Sequence, residues 1–162
     1  MIKDLARKLS AFAEFKDFVI VEIIFKRGSF SSGAKILKVN ASSAVLMASS
    51  DAAQVAVKMI RPRREVKPCE VQAAEDFNLQ FTAQEVLAFA ESIGDKNPIH
   101  RLKPPIVPAF LILEKICAAV EGNFKLRFRN FITADEPLTL TVADNGFEII
   151  CAGVKKVTGE FL

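Results

Sequence analysis

The sequence predicts an α+β fold in which two similar helix-plus-sheet units share one antiparallel sheet, each unit wrapping a helix. Three observations predict it. The order of patterns repeats: helical period, β-branched run, a short link carrying Gly, Pro or Asp, then further strand-like runs. With Phe25 set against Phe128, IIFKRGSFSSGAKILKV lies over LRFRNFITADEPLTLTV without a gap, and the same offset lays the first helix over the segment starting near Pro104. The composition, 51% apolar and 25% charged with a mean hydropathy of +0.26, belongs to a packed chain and excludes disorder. At 162 residues the chain suits one domain or two small subdomains with a common core.

In chain order, Ile2, Leu5, Leu9, Phe12 and Phe15 recur in steps of three and four, which predicts a helix near 3–15. FVIVEIIFK (18–26), AKILKV (34–39), SSAVLMASS (42–50) and AAQVAVKMI (52–60) read as strands separated by Ser, Asn and Gly turn residues. RPRREVKP (61–68) is cation-rich, carries two prolines and has no apolar period, so it reads as an exposed connector. VQAAEDFNLQF (71–81) reads as a strand leading to a helix, whose start is marked by the capping box Thr82–Glu85 and whose end is marked by Gly94. A second central helix follows near 108–121, with Pro108 in its first turn and apolar residues almost all round, the mark of an enclosed helix. FKLRFRNF, LTLTVA and GFEIICAGVKKV close the chain as strands. The expected organisation is a truncated first unit (1–60), the connector (61–68) and a complete second unit (69–162). The first unit has no counterpart of 69–103, so chemistry in that segment is present once.

Composition also excludes function classes. A net charge of +3 without a recognition motif argues against nucleic acid. No apolar run is long enough to span a bilayer, and charges interrupt the first fifteen residues, unlike a signal peptide. Cys69, Cys117 and Cys151 are few, odd in number and widely spaced, which predicts reduced thiols and a cytoplasmic protein. Cys117 and Cys151 fall on buried elements and read as core fillers rather than nucleophiles.

The segment GDKNPIH (94–100) holds the chain's one histidine, five residues after Asp95, in an Asn97-Pro98 turn. A carboxylate beside an imidazole is a general acid/base set near neutral pH. The helix beginning at Pro108 follows closely, and its first free N–H groups can bind an oxygen that becomes negative. One short stretch therefore supplies both halves of an acid/base and oxyanion site.

The run FTAQEVLAFAESIGDKNPIH resembles the signature of the MaoC-like dehydratases and (R)-specific enoyl-CoA hydratases, which have the hot-dog fold. Their motif G-D-x-N-P-[LIV]-H is matched at Gly94, Asp95, Asn97, Pro98, Ile99 and His100. PPIVPAFLILEKI is similar to the start of their central helix, and LRFRNFITADEPLTLTV resembles their next strands. The resemblance covers about 69–162, and 1–60 only through the repeat. It implies a double hot-dog, a continuous antiparallel sheet around two central helices. It also implies a hydratase/dehydratase acting on an acyl-CoA or acyl-carrier-protein thioester, with no cofactor and no metal. Asp95 and His100 would be the catalytic pair, the Ala109 N–H would polarise the thioester carbonyl, and Gly94, Asn97 and Pro98 would support the turn. The internal pseudo-dimer leaves further homodimerisation open.

Two departures qualify what the resemblance implies. Arg101, Leu102 and Lys103 follow the histidine where the family has an acidic residue and a longer overhang. Val107-Pro108-Ala109 stands where it has Val-His-Gly. A short or unusual acyl group, or a thioester-binding protein without turnover, is the alternative these changes imply. A hot-dog thioesterase ranks lower, because such enzymes place a carboxylate on the enclosed helix and the only candidate there is Glu114, late in that helix. Arg101 and Lys103, with Arg61, Arg63, Arg64 and Lys67, are candidates for coenzyme A phosphates, the alternative being plain solvated charges. Asn97 is expected to close the turn on its own backbone.

Overall fold

A computed structural model describes residues 1–162. One eight-stranded antiparallel sheet runs through the whole chain, and three helices lie against it. The elements are α1 (Ile2–Ser10), β1 (Val19–Arg27), β2 (Gly33–Val39), β3 (Ser43–Ser49), β4 (Ala53–Ile60), α2 (Ala83–Ile93), α3 (Ala109–Ala119), β5 (Phe124–Phe128), β6 (Thr139–Ala143), β7 (Gly146–Cys151) and β8 (Val154–Phe161). The strand order β2-β3-β4-β1-β5-β8-β7-β6 is symmetric about the β1–β5 seam. The offset that sets Phe25 on Phe128 also lays β3 on β7 and β4 on β8, so the sequence repeat is a structural one. This is the expected double hot-dog, with α1 and α3 as its two central helices.

Burial follows the period of each element. Leu5, Ala6 and Leu9 of α1 and Leu111, Leu113 and Ile116 of α3 are buried. The sheet meets them with alternate residues: Ile23 and Phe25 on β1, Leu46 and Ala48 on β3, Val55 and Val57 on β4, Phe124 and Leu126 on β5. At the seam, Phe25 and Phe124 are cross-strand partners with rings stacked 5.0 Å apart. Outside, Glu22 takes Lys125 at 3.0 Å and Arg127 at 3.4 Å across the same seam.

Three expectations are corrected. The first helix stops at Ser10, and Ala13–Phe15 form a 3-10 turn. That change of direction tucks Phe15 and Phe18 into the core, edge to face at 5.3 Å. Residues 71–81 form no strand. Positions 71–78 are exposed and give the chain no apolar face to bury, and only Leu79 bridges to Leu138. GFEIICAGVKKV is not one strand but parts of two, β7 and β8, divided at Ala152 and Gly153. Both have positive φ (48° and 78°), the geometry that reverses a tight hairpin.

Gly159 on β8 lies opposite Phe147 on β7, whose ring covers it. A Cβ at Gly159 would fall inside that ring, so Gly159→Ala is expected to destabilise the fold by about 1–3 kcal/mol. A urea midpoint that does not fall would contradict this packing.

Candidate acid/base site

Local sequence chemistry places Asp95. The α2 helix begins at Thr82, whose hydroxyl accepts the Glu85 N–H at 3.1 Å, while the Glu85 carboxylate turns away to Lys115 at 2.8 Å. It ends at Gly94, in the left-handed region at φ 72°, which lets the Asp95 N–H reach back to the Ala90 carbonyl at 2.9 Å. The next residues form two side-chain-closed turns in series. Asp95 Oδ1 accepts the Asn97 N–H at 2.8 Å, and Asn97 Oδ1 accepts the Ile99 N–H at 3.2 Å. Pro98 then starts a 3-10 turn, Pro98–Arg101, that carries His100. Asn97 Nδ2 donates to the Phe18 carbonyl at 3.0 Å, tying the turn to the first unit.

The turn brings the pair together. His100 Nε2 stands 3.3 Å from Asp95 Oδ2, and His100 Nδ1 stands 2.7 Å from the Ile106 carbonyl oxygen. A carbonyl only accepts, so Nδ1 carries a proton. In the neutral ring Nε2 is then a lone pair facing a carboxylate oxygen. Two acceptors so placed require either a proton between them or a water molecule that donates one O–H to each.

Burial alone raises the Asp95 pKa. The hydrogen bond and charge of His100, the Asn97 N–H and the charge of Arg101 outweigh it and hold the carboxyl below the usual carboxylate range. A depressed folded-state pKa adds stability that is complete above the unfolded value and lost as pH falls through the folded one. Asp95→Asn should therefore flatten the fall in stability between about pH 5 and pH 2. Urea midpoints across that range check it, and an acid limb parallel to that of the unsubstituted protein would refute it.

Asp95, Asn97, His100 and Ala109 line one cavity of about 1090 Å³, together with Phe12, Phe18, Met59 and Phe131 from both units. The start of α3 opens into it. Pro108 accepts from Leu111 and Ile112, and helix geometry leaves the Ala109 and Phe110 N–H groups without partners inside the helix. That start is fixed from behind, where the Val107 N–H donates to Ile132 at 2.8 Å and the Ala134 N–H donates to Pro105 at 2.8 Å.

Other sequence candidates lie elsewhere. Arg101 donates to the Asp95 carbonyl at 3.0 Å and to the Asn97 carbonyl at 3.3 Å, clamping the turn from outside. Neither Arg101 nor Lys103 lines the cavity, whereas Arg61, Arg63, Arg64 and Lys67 do. Glu114 is also absent from its walls. Burial pushes the Cys117 thiol up to about 11 and raises that of Cys151, and both pack against the core as poor nucleophiles.

Sequence reasoning missed a buried ion pair, Lys156 Nζ to Glu136 Oε1 at 2.8 Å. Glu136 Oε2 also accepts the Thr133 N–H at 2.7 Å, and Lys156 donates to the Phe131 carbonyl at 2.9 Å. Lys156 is turned inward by a β-bulge: Ile149 pairs with Val157 and Ile150 with Lys155, leaving Lys156 between them. No local signal marks it.

Among solved structures, HtdX from Mycobacterium tuberculosis superposes with a TM-score of 0.67 at 14% identity, covering 100% of this chain and 88% of that one. A MaoC-like dehydratase from Phytophthora capsici superposes at 0.50, also at 14% identity, over 91% of this chain and 69% of that one. The chain has the MaoC-like hot-dog fold. No protein-family model and no curated sequence matches it. No helix is long and apolar enough to cross a membrane.

Proposed function

We propose that this MaoC-like chain catalyses the syn addition of water to a trans-2-enoyl thioester, giving the (R)-3-hydroxyacyl thioester, and the reverse dehydration. The observation that carries the reading is the Asp95–His100 pair at 3.3 Å, its outer ring nitrogen committed to Ile106, in one cavity with the free N–H groups of α3. The Phytophthora protein of the same fold is a MaoC-like dehydratase, which supports the same chemistry.

A water donating to both Asp95 Oδ2 and His100 Nε2 keeps its lone pairs for the substrate. As its oxygen bonds to C3, one of its protons passes to the pair, and the C2=C3 electrons move toward the thioester oxygen. The enolate oxygen is met by the Ala109 N–H at the positive end of α3. The proton held by the pair then goes to C2, on the face from which water came, and the enzyme returns to its starting state. The cavity of about 1090 Å³ leaves room for an acyl group and a pantetheine arm.

The test is hydration of crotonyl-CoA, followed by loss of enoyl-thioester absorbance, with Asp95→Asn and His100→Gln in parallel. Unchanged turnover in either variant overturns the mechanism. The Pro108-Ala109 helix start favours a second reading, an acyl-thioester binding protein without turnover, since the Ala109 methyl narrows an approach that glycine leaves open. Tight acyl-CoA binding with no absorbance change for any chain length would select it.

A further inference from the structure

The cavity wall carries a charge imbalance that the acid/base turn does not use. Of the chain's 19 acidic residues only Glu65 and Asp95 line it, against seven of its 22 cations. One is Lys96, beside the turn. The connector supplies Arg61, Arg63, Arg64 and Lys67, and Lys16 and Arg129 come from other segments of the wall. These six are exposed, and only Lys67 reaches a carboxylate, that of Glu65 at 3.7 Å. Arg61 lies 5.2 Å over the Phe18 ring, and Arg129 donates to the Thr158 hydroxyl at 3.3 Å. Lys16, Arg63 and Arg64 make neither an ion pair nor a side-chain hydrogen bond. Like charges gathered on a concave wall raise the local concentration of an anionic ligand, and the ligand relieves their mutual repulsion.

The backbone repeats the message. The connector is anchored at Arg61, whose N–H donates to Ser42 at 2.9 Å, and beyond its end at Cys69, whose N–H donates to Thr133 Oγ1 at 3.0 Å. Between these anchors the amides of Arg63, Arg64, Glu65, Val66 and Lys67 donate to nothing in the protein. Guanidinium forks beside free amides are phosphate-binding chemistry. A concave wall suits a small polyanion that enters the cavity rather than the convex face of a protein.

The geometry points to the 61–67 strap, with Lys16 and Arg129, as the binding wall for the phosphates of a nucleotide-borne thioester of the coenzyme A type. The acyl end would lie at Asp95 and His100, an orientation that rests on the hydratase reading. The test compares the full chain with Arg63→Gln/Arg64→Gln on crotonyl-CoA and on crotonyl-pantetheine, which lacks the nucleotide and its phosphates. Adenosine 3′,5′-bisphosphate binding is measured by calorimetry alongside. The double variant should raise KM for the CoA substrate about tenfold and leave the pantetheine substrate within about twofold, an energy difference that two charge-assisted contacts readily supply. It should weaken bisphosphate binding about tenfold, and added salt should weaken binding to the unsubstituted chain. Equal KM shifts for both substrates or no bisphosphate binding would each overturn the assignment. Bisphosphate binding that depends on Arg63 and Arg64 without turnover of either substrate would uphold the wall and refute the hydratase.

Discussion

Asp95→Asn and His100→Gln are each expected to lower kcat for enoyl-thioester hydration by about 10²–10⁴-fold, the range for loss of a positioned acid or base. The double variant should lose scarcely more than the worse single one. In the proposed mechanism one water donates to both Asp95 Oδ2 and His100 Nε2, so removing either acceptor already releases it. The two substitutions differ in what they leave behind. His100→Gln retains a donor toward the Ile106 carbonyl, so that buried oxygen need not lose its partner. Asp95→Asn keeps an oxygen for the Asn97 N–H and loses the charge. Both variants should therefore fold, with near-native circular dichroism. Losses that multiply in the double variant would mean that the two groups act in separate steps and not on one water.

The parts legible in the sequence were those fixed by local chemistry. The Thr82 cap, the left-handed Gly94 and the Asp95 and Asn97 turns involve residues within a few positions of one another. Their residue types leave the backbone few alternatives, and the strands of the repeat are similarly declared by β-branched runs. What escaped was of two kinds, backbone partners that residue types do not announce and partners distant in the chain. Arg101 reads as a free cation because no residue type signals that two backbone carbonyls of its own turn accept from it. The cavity takes Phe12, Phe18 and Met59 from the first unit, and only the closed sheet brings them beside residues far along the chain. Residues 71–81 misled because β-compatible residues there have no sheet face to lie on. Lys156 is the sharpest case: KK in a strand reads as two solvated charges, yet a bulge exposes Lys155 and buries its neighbour.

That buried lysine carries the largest expected effect on stability. Lys156 and Glu136 are each 4% exposed, so neither charge can turn to water if the other is removed. Lys156→Met is expected to cost about 3–5 kcal/mol, the cost of an uncompensated buried carboxylate. Removing both charges, as Lys156→Met/Glu136→Leu, should recover some of the loss but not all, because the Thr133 N–H then lacks its acceptor, worth about 1–3 kcal/mol when buried. The consequence reaches the acid/base site by a short route. Glu136 holds Thr133, and the 132–134 segment pairs with Pro105–Val107, whose Ile106 carbonyl accepts the His100 proton. At temperatures where Lys156→Met is still folded, kcat should fall while KM moves little. A variant as stable as the original by urea unfolding would mean that this pair is an incidental contact and not the strut behind the histidine.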